Sequence, residues 1–218
     1  MYYVGIDIGS TASEIASRLL DEGIDVMSEG VRVAATGYGR VAVDYADFVI
    51  TEITCHGRGG RELAGNECAI IDVGGQDTKV ILVDQGMIQD FLMNDKCSAG
   101  TGKFLEIMAN RLGVTIAELF DLAEQGTVVP ISSLCTVFAE SDLVHKIQMG
   151  HKKEDIIAGL CNAVANNYLN NIGKGKKILA PIVFQGGVSK NEGVVKAFAD
   201  SLGEEIIVDD NGHLMGCY

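Results

Sequence analysis

Three stretches of the chain repeat one arrangement, an apolar β-rich run that ends in a short polar turn containing glycine. Tyr2 to Ile8 precedes Gly9-Ser10-Thr11, Cys68 to Val73 precedes Gly74-Gly75-Gln76-Asp77, and Ile178 to Phe184 precedes Gln185-Gly186-Gly187. Each reads as a strand that delivers a ligand-binding turn. Asp7 and Asp72 stand at the ends of the first two strands. A carboxylate beside a glycine turn can hold Mg²⁺ or its waters, while the backbone N–H groups and hydroxyls of the turn take phosphate oxygens. Either motif alone reads first as a hairpin turn with a capping Asp. Two of them, followed by Gly186-Gly187-Val188, point to a nucleotide held between two lobes.

The rest of the pattern makes the chain α/β. Thr78 to Asp84 and Met87 to Met93 flank Gln85-Gly86, a hairpin signal, so strands 68–73, 78–84 and 87–93 are expected to form an antiparallel meander. Apolar periodicity predicts helices over 12–22, 102–112, 136–149 and 154–172. A last helix follows Ser189-Lys190-Asn191-Glu192, where Ser189 and Glu192 have capping-box spacing. With 218 residues and 47% hydrophobic content the chain can bury a sizeable core. Its 30 acidic against 17 basic side chains give a net charge of −13, which repels a nucleic-acid backbone or an anionic membrane. No apolar run is long enough to span a bilayer and the first residues lack the basic start of a signal peptide, so the expected compartment is the cytoplasm.

The two phosphate turns and the later Gly-Gly segment resemble the actin, Hsp70 and sugar-kinase ATPase superfamily. That resemblance implies two ribonuclease-H-like lobes with mixed sheets and ATP in the cleft between them. The lobes are expected at residues 1–66 and 67–218, with the second holding turn two, the adenosine segment and the cysteines at 97 and 135. Ala99-Gly100-Thr101-Gly102-Lys103-Phe104 imitates a Walker A loop but fails as one: its first Gly position is Cys97, and Phe104 stands where Ser or Thr is required.

Six cysteines occur without any Cys-x-x-Cys spacing, so a zinc site or an entire iron–sulfur cluster within one chain is poorly supported. Cys97 and Cys135 each immediately precede a predicted helix, where the helix dipole and unpaired N–H groups favour a thiolate or a thiolate-ligated cluster. The plainer reading is two buried, inert thiols. Two ligands per chain complete a four-thiolate site only if two chains share it on a twofold axis. Cys55-His56 beside Gly57-Arg58-Gly59-Gly60 reads as a structural loop, Cys161 as core, and Cys68 and Cys217 carry no signal.

Four segments, Asn94 to Gly102, Cys135 to Ser141, Ala35 to Arg40 and Asp72 to Asp77, are similar to the activator ATPases of 2-hydroxyacyl-CoA dehydratases and the ATPase subunits of benzoyl-CoA reductases. The resemblance covers nearly the whole chain. It implies an ATP-hydrolysing electron donor: a homodimer with one [4Fe-4S] cluster between its subunits, Cys97 and Cys135 as ligands, an iron–sulfur dehydratase or reductase as acceptor, and ferredoxin or flavodoxin as donor. Asp7, Asp72, Gln76 and Glu140 are the candidate catalytic residues, Glu140 being equally a dipole-compensating acid near a helix start. Gly9, Ser10, Thr11, Gly74, Gly75, Gly100, Thr101, Gly102, Gly186 and Gly187 are the candidate ligands of Mg²⁺-bound ATP or ADP. The family continues after Ser13 into a strand and a hairpin where this chain reads as helix, so the first lobe is expected to lack a strand pair of roughly 15 to 30 residues. A small-molecule or acyl-phosphate kinase of the same superfamily, and a non-catalytic nucleotide-binding module, are the competing readings.

Overall fold

The computed structural model describes residues 2–9, 13–15, 25, 27–94 and 96–217. Two sheets organise them. In the first, β1 (Tyr2–Ile8) is flanked by β2 (Ser13–Ile15), antiparallel to it, and by β3 (Val31–Thr36), parallel to it, with β4 (Phe48–Val49) outside β3. The second sheet repeats the plan around β5 (Cys68–Val73). Here β6 (Thr78–Asp84) and β7 (Met87–Asn94) run antiparallel on one side, and β8 (Ile182–Gln185) and β9 (Ile206–Ile207) run parallel on the other. The predicted meander is therefore present. Its turn, Gln85-Gly86, has positive φ at both positions (51° and 75°), the pairing that matches strand twist in a two-residue hairpin.

All six residues of β5 are buried, because helices cover both faces of its sheet. On one face Ile71, Val73, Val80, Ile182 and Phe184 meet α2 (Gly102–Leu112), α3 (Ile116–Ala123), α5 (Lys153–Asn171) and α6 (Glu192–Leu202). Tyr168 and Phe198 close that core edge to face, their ring centroids 5.1 Å apart. On the other face Ile70, Ile81, Val83 and Val183 pack on Ile53 and Leu63 of α1 (Glu52–Ala64). The remaining helix, α4 (Thr136–Gln148), starts at Cys135.

Helix α1 replaces the loop expected around Cys55-His56. Glycine in a helix interior costs about 0.5–1 kcal/mol relative to Ala, which is why Gly57, Gly59 and Gly60 read as a turn. Packing overrides the propensity. A Cβ on Gly57 would press on Ile88, one on Gly60 would overlap Ile70, and one on Gly59 would meet the carbonyl of Met215. Close approach on two sides holds the helix between the second sheet and the 3-10 turn Gly212–Cys217.

Three further differences concern element ends. The helix predicted over 12–22 is a strand at 13–15, and the remainder of that stretch lies outside the described residues. The cap of α6 is Asn191, whose side chain accepts from the Val194 N–H at 3.1 Å, and Ser189 belongs instead to a 3-10 turn, 187–190. Cys97 lies five residues before its helix, whereas Cys135 is the residue that caps α4.

Candidate functional site

Asp72 occupies the last turn-facing position but one of a central strand, so its neighbours are fixed by register. Lys79 of β6 lies opposite it on one side and Gln185 of β8 on the other. Lys79 Nζ is within 3.0 Å of Asp72 Oδ2, 2.7 Å of Asp77 Oδ2 and 3.9 Å of Glu52 Oε2, with only 3% of its side chain exposed. Burial alone would push the Lys79 pKa down, but the three carboxylates outweigh it and hold the ammonium charged. Burial likewise works to raise the Asp72 pKa, and is overcome by Lys79 and His56, so the carboxyl sits below the usual carboxylate range. Tyr168 fixes the hairpin from beneath by donating its hydroxyl to the Lys79 carbonyl.

Asp7 is the penultimate residue of β1 on the first sheet and is also buried. Its pKa is raised, first by burial and then by the nearby charges of Asp72 and Asp77, against the pull of His56 and Lys79. His56, on α1, stands between the two aspartates, with Nε2 4.0 Å from Asp7 Oδ2 and 3.9 Å from Asp72 Oδ2. Its Nδ1 is 2.7 Å from Gln185 Nε2. Two turns thus bring their carboxylates to one buried histidine. Gly37 and Gly216 line Asp7 so tightly that a Cβ on either would overlap its carboxylate oxygens, and a Cβ on Gly186, at φ +89°, would fall 2.7 Å from Asp72 Oδ1.

Turn two leads directly to the first cysteine segment. The Gly74 carbonyl accepts from Gly102 N–H at 2.9 Å and the Gly75 carbonyl from Lys103 N–H at 2.7 Å. Thr101, fully buried, donates its hydroxyl to the Ser98 carbonyl, and Ser98 Oγ is 3.1 Å from Thr136 Oγ1. The residues immediately after Cys97 and Cys135 are therefore in contact, and the two cysteine segments lie side by side. Cys97 is exposed and Cys135 half-buried, whereas Cys55, Cys68 and Cys161 are buried. Burial pushes the Cys161 thiol up to about 12 and raises Cys68, so neither is disposed to form a thiolate.

Gln76 is exposed at the tip of turn two and Gly9 is exposed beyond β1, while Ser10 and Thr11 lie outside the described residues. Glu140, on α4, forms an ion pair with Arg111 at 2.7 Å. Gly187 begins the 3-10 turn beside a groove of about 620 Å³ lined by Ser189, Lys190, Glu192, Lys196, Val208 and Asp209. Sequence reasoning missed Lys79, Gln185, Glu52 and the place of His56. Lys79 was legible as a cation seven residues after Asp72 within a hairpin; the position of α1 was not.

Asp7 and Asp72, both buried and both facing His56, are the carboxylates suited to hold the waters of a Mg²⁺ ion. Among the described residues no set of three or more His, Cys, Asp or Glu side chains is disposed to hold a metal. Cys97 and Cys135 each stand next to the Ser98–Thr136 contact, Cys97 exposed and Cys135 half-buried, so both thiols are open to a ligand from outside the chain.

Residues 22–212 match the BadF/BadG/BcrA/BcrD ATPase family. The chain belongs to that family. It is 40% identical to the activator of lactoyl-CoA dehydratase of Anaerotignum propionicum, over 99% of this chain and 94% of the relative. That alignment runs over 247 positions against 218 residues here, so the relative carries residues within the matched span that this family member lacks. Among solved structures, the activator of the 2-hydroxyisocaproyl-CoA dehydratase from Clostridium difficile with bound ADPNP has a TM-score of 0.88 at 38% identity, covering 99% of this chain and 91% of the other. The (R)-2-hydroxyglutaryl-CoA dehydratase component A of Acidaminococcus fermentans has the same TM-score at 37% identity, covering 99% and 94%. The expected fold, an actin-like pair of ribonuclease-H-like lobes, is the fold of this BadF/BadG/BcrA/BcrD ATPase. Among the described residues no helix is long and apolar enough to cross a membrane.

Proposed function

We propose that the chain is an ATP-hydrolysing iron–sulfur electron donor that activates a 2-hydroxyacyl-CoA dehydratase or a related reductase by low-potential one-electron transfer. The observation that carries this reading is the continuity of residues 97–103. One end is Cys97; the other, through the N–H groups of Gly102 and Lys103, grips the carbonyls of the second phosphate turn. Movement of that turn on nucleotide binding or hydrolysis reaches the thiol through four residues of hydrogen-bonded backbone, and reaches Cys135 through the Ser98–Thr136 contact.

In this reading the lobes divide near residue 66 and Mg²⁺-bound ATP lies between them. Gly9, Ser10 and Thr11 of turn one and Gly74, Gly75 and the 100–102 segment beside turn two take the phosphates, and the groove beside Gly186 and Gly187 takes the adenosine. Asp7 and Asp72 orient the waters of the cation, with Gln76 and Glu140 as further candidates for placing the attacking water. A [4Fe-4S] cluster shared across a homodimer, held by Cys97 and Cys135 of each chain, supplies the one-electron chemistry when bound. A cytoplasmic ferredoxin or flavodoxin supplies the electron. The relatives named as dehydratase activators support the acceptor class.

Anaerobic purification followed by iron and sulfide assay tests the reading. A brown protein with about four irons per dimer is the expected result for one shared four-cysteine cluster. A colourless, iron-free protein that phosphorylates a small acceptor overturns it in favour of a kinase.

A further inference from the structure

The buried pair His56 and Gln185 carries no role in the proposed function, and its geometry is specific. His56 Nδ1 faces the Gln185 amide nitrogen at 2.7 Å. The opposite ring nitrogen, Nε2, is the one that faces Asp7 and Asp72. The distances of 4.0 and 3.9 Å to their oxygens are too long for direct hydrogen bonds and suit a bridging water. The other amide atom, Gln185 Oε1, is a buried acceptor with no partner among described residues, and Gln185 is completely buried beside Asp72 in the sheet register. A buried acceptor left unmade costs about 1–3 kcal/mol, so this position is organised around a donor that the described residues do not supply.

We propose that His56 and Gln185 are positioning residues for the water shell of the nucleotide-bound cation, the Nε2 and Oε1 atoms holding waters that the carboxylates of Asp7 and Asp72 also hold. This rests on the nucleotide site of the proposed function. The pair acts through water: it sets where the cation sits between the two turns without ligating it. Because α1 carries His56 from the first lobe's connection and β8 carries Gln185 from the second sheet, the shell is complete only when both are in register.

The test is calorimetric titration of the anaerobically purified protein with ADP, with Mg²⁺ and with EDTA. His56→Leu and Gln185→Met are each expected to lose about tenfold of the Mg²⁺-dependent gain in ADP affinity, the scale of a hydrogen bond to a charged shell. Mg²⁺-free affinity and the thermal midpoint stay near wild type. His56→Gln, whose amide nitrogen can replace Nε2, keeps most of the gain, and the double variant is no worse than the poorer single. Full Mg²⁺ gain in both variants while Asp72→Asn loses it overturns the assignment, as does loss of Mg²⁺-free binding together with the thermal midpoint, the mark of a purely structural pair. Pulsed electron paramagnetic resonance of wild type with Mn²⁺ and ADP gives an independent reading: a nitrogen bonded directly to the metal overturns it, and only weak nitrogen coupling supports it. If wild type itself binds no ADP, the nucleotide site fails, a result distinguishable from failure of this pair.

Discussion

Asp7 and Asp72 occupy equivalent strand ends, yet their surroundings push them in opposite directions, and the difference separates stability from activity. Asp72 has a depressed pKa, so it contributes stability that is present above its unfolded pKa of about 3.9 and is lost as pH falls through the lower folded value. Asp7 has a raised pKa, so its ionisation opposes folding and native stability declines as pH rises through the folded value. Asp72→Asn is therefore expected to lower the denaturant midpoint at neutral pH and Asp7→Asn to raise it. Both are expected to cut ATP turnover on the order of 100-fold, as loss of one preorganised electrostatic contact does, with iron content unchanged. Turnover surviving both changes sinks the cleft assignment. Removing the cation is worse for folding than removing either acid: Lys79→Met takes the ammonium from Asp72 and Asp77, leaving Asp72 only His56 at 3.9 Å, and is expected to cost about 3–5 kcal/mol in urea unfolding. The thiols divide in the same way. Cys97→Ser or Cys135→Ser is expected to abolish iron retention, whereas Cys68→Ser and Cys161→Ser, at positions where burial disfavours the thiolate, leave it near wild type. Equal loss across all four is the contrary result.

Among the elements, the turns carry the most specific demands. Gly186 links β8 to the 187–190 turn at φ +89°, and a side chain there meets both the Val73 carbonyl and Asp72 Oδ1. Gly203 has a similar φ of +69° at the end of α6, and a methyl group added there would find nothing within 4 Å. Gly203→Ala is thus expected to cost only backbone strain, about 1 kcal/mol, with ATP affinity intact, while Gly186→Ala abolishes nucleotide binding measured by calorimetry. Comparable loss in both would mean that φ alone, rather than approach to Asp72, sets the requirement. The same elements show what a sequence can and cannot disclose. Strand–turn units, the meander and the helices over 102–112, 136–148 and 153–171 announce themselves through apolar period and glycine placement. Thr115 and Glu118 form a capping box whose spacing was visible, and α3 behind it went unread. Helix α1 was hidden for a physical reason: its three glycines oppose helix propensity and are tolerated because the sheet and the 212–217 turn press on them. Since α1 carries His56, the centre of the site was hidden with it, while the aspartates on either side were plain.

At the scale of the molecule, the two sheets are one plan executed twice, an antiparallel strand, a central strand with Asp at its penultimate position, and two parallel strands. The second sheet carries an additional outer strand, β7, that has no counterpart among the described residues of the first, and β2 there is only three residues long. The first sheet also packs a small core around Val4, Ile6, Val33 and Ala35, against the large cluster beneath the second. Its backbone hydrogen bonds are consequently expected to exchange well before those of β5, and nucleotide binding across both sheets to slow them. The second sheet's lobe has its own exposed apolar surface. Leu134, Val137 and Phe138 are 79%, 70% and 60% exposed around Cys135, an arrangement suited to a second copy of the chain seated over the cysteines. Association must overcome the repulsion of two chains each carrying −13, which is least screened at low ionic strength. Shared metal–thiolate bonds would offset that repulsion and the apolar patch would assist them. Stripping iron with a chelator under anaerobic conditions is therefore expected to shift the protein toward monomer at low salt, with added salt partly restoring the dimer as the charges are screened. Sedimentation velocity of the holo and iron-free forms resolves this. A holo form that is strictly monomeric excludes a shared cluster, because Cys97 and Cys135 of one chain alone cannot close a four-thiolate site.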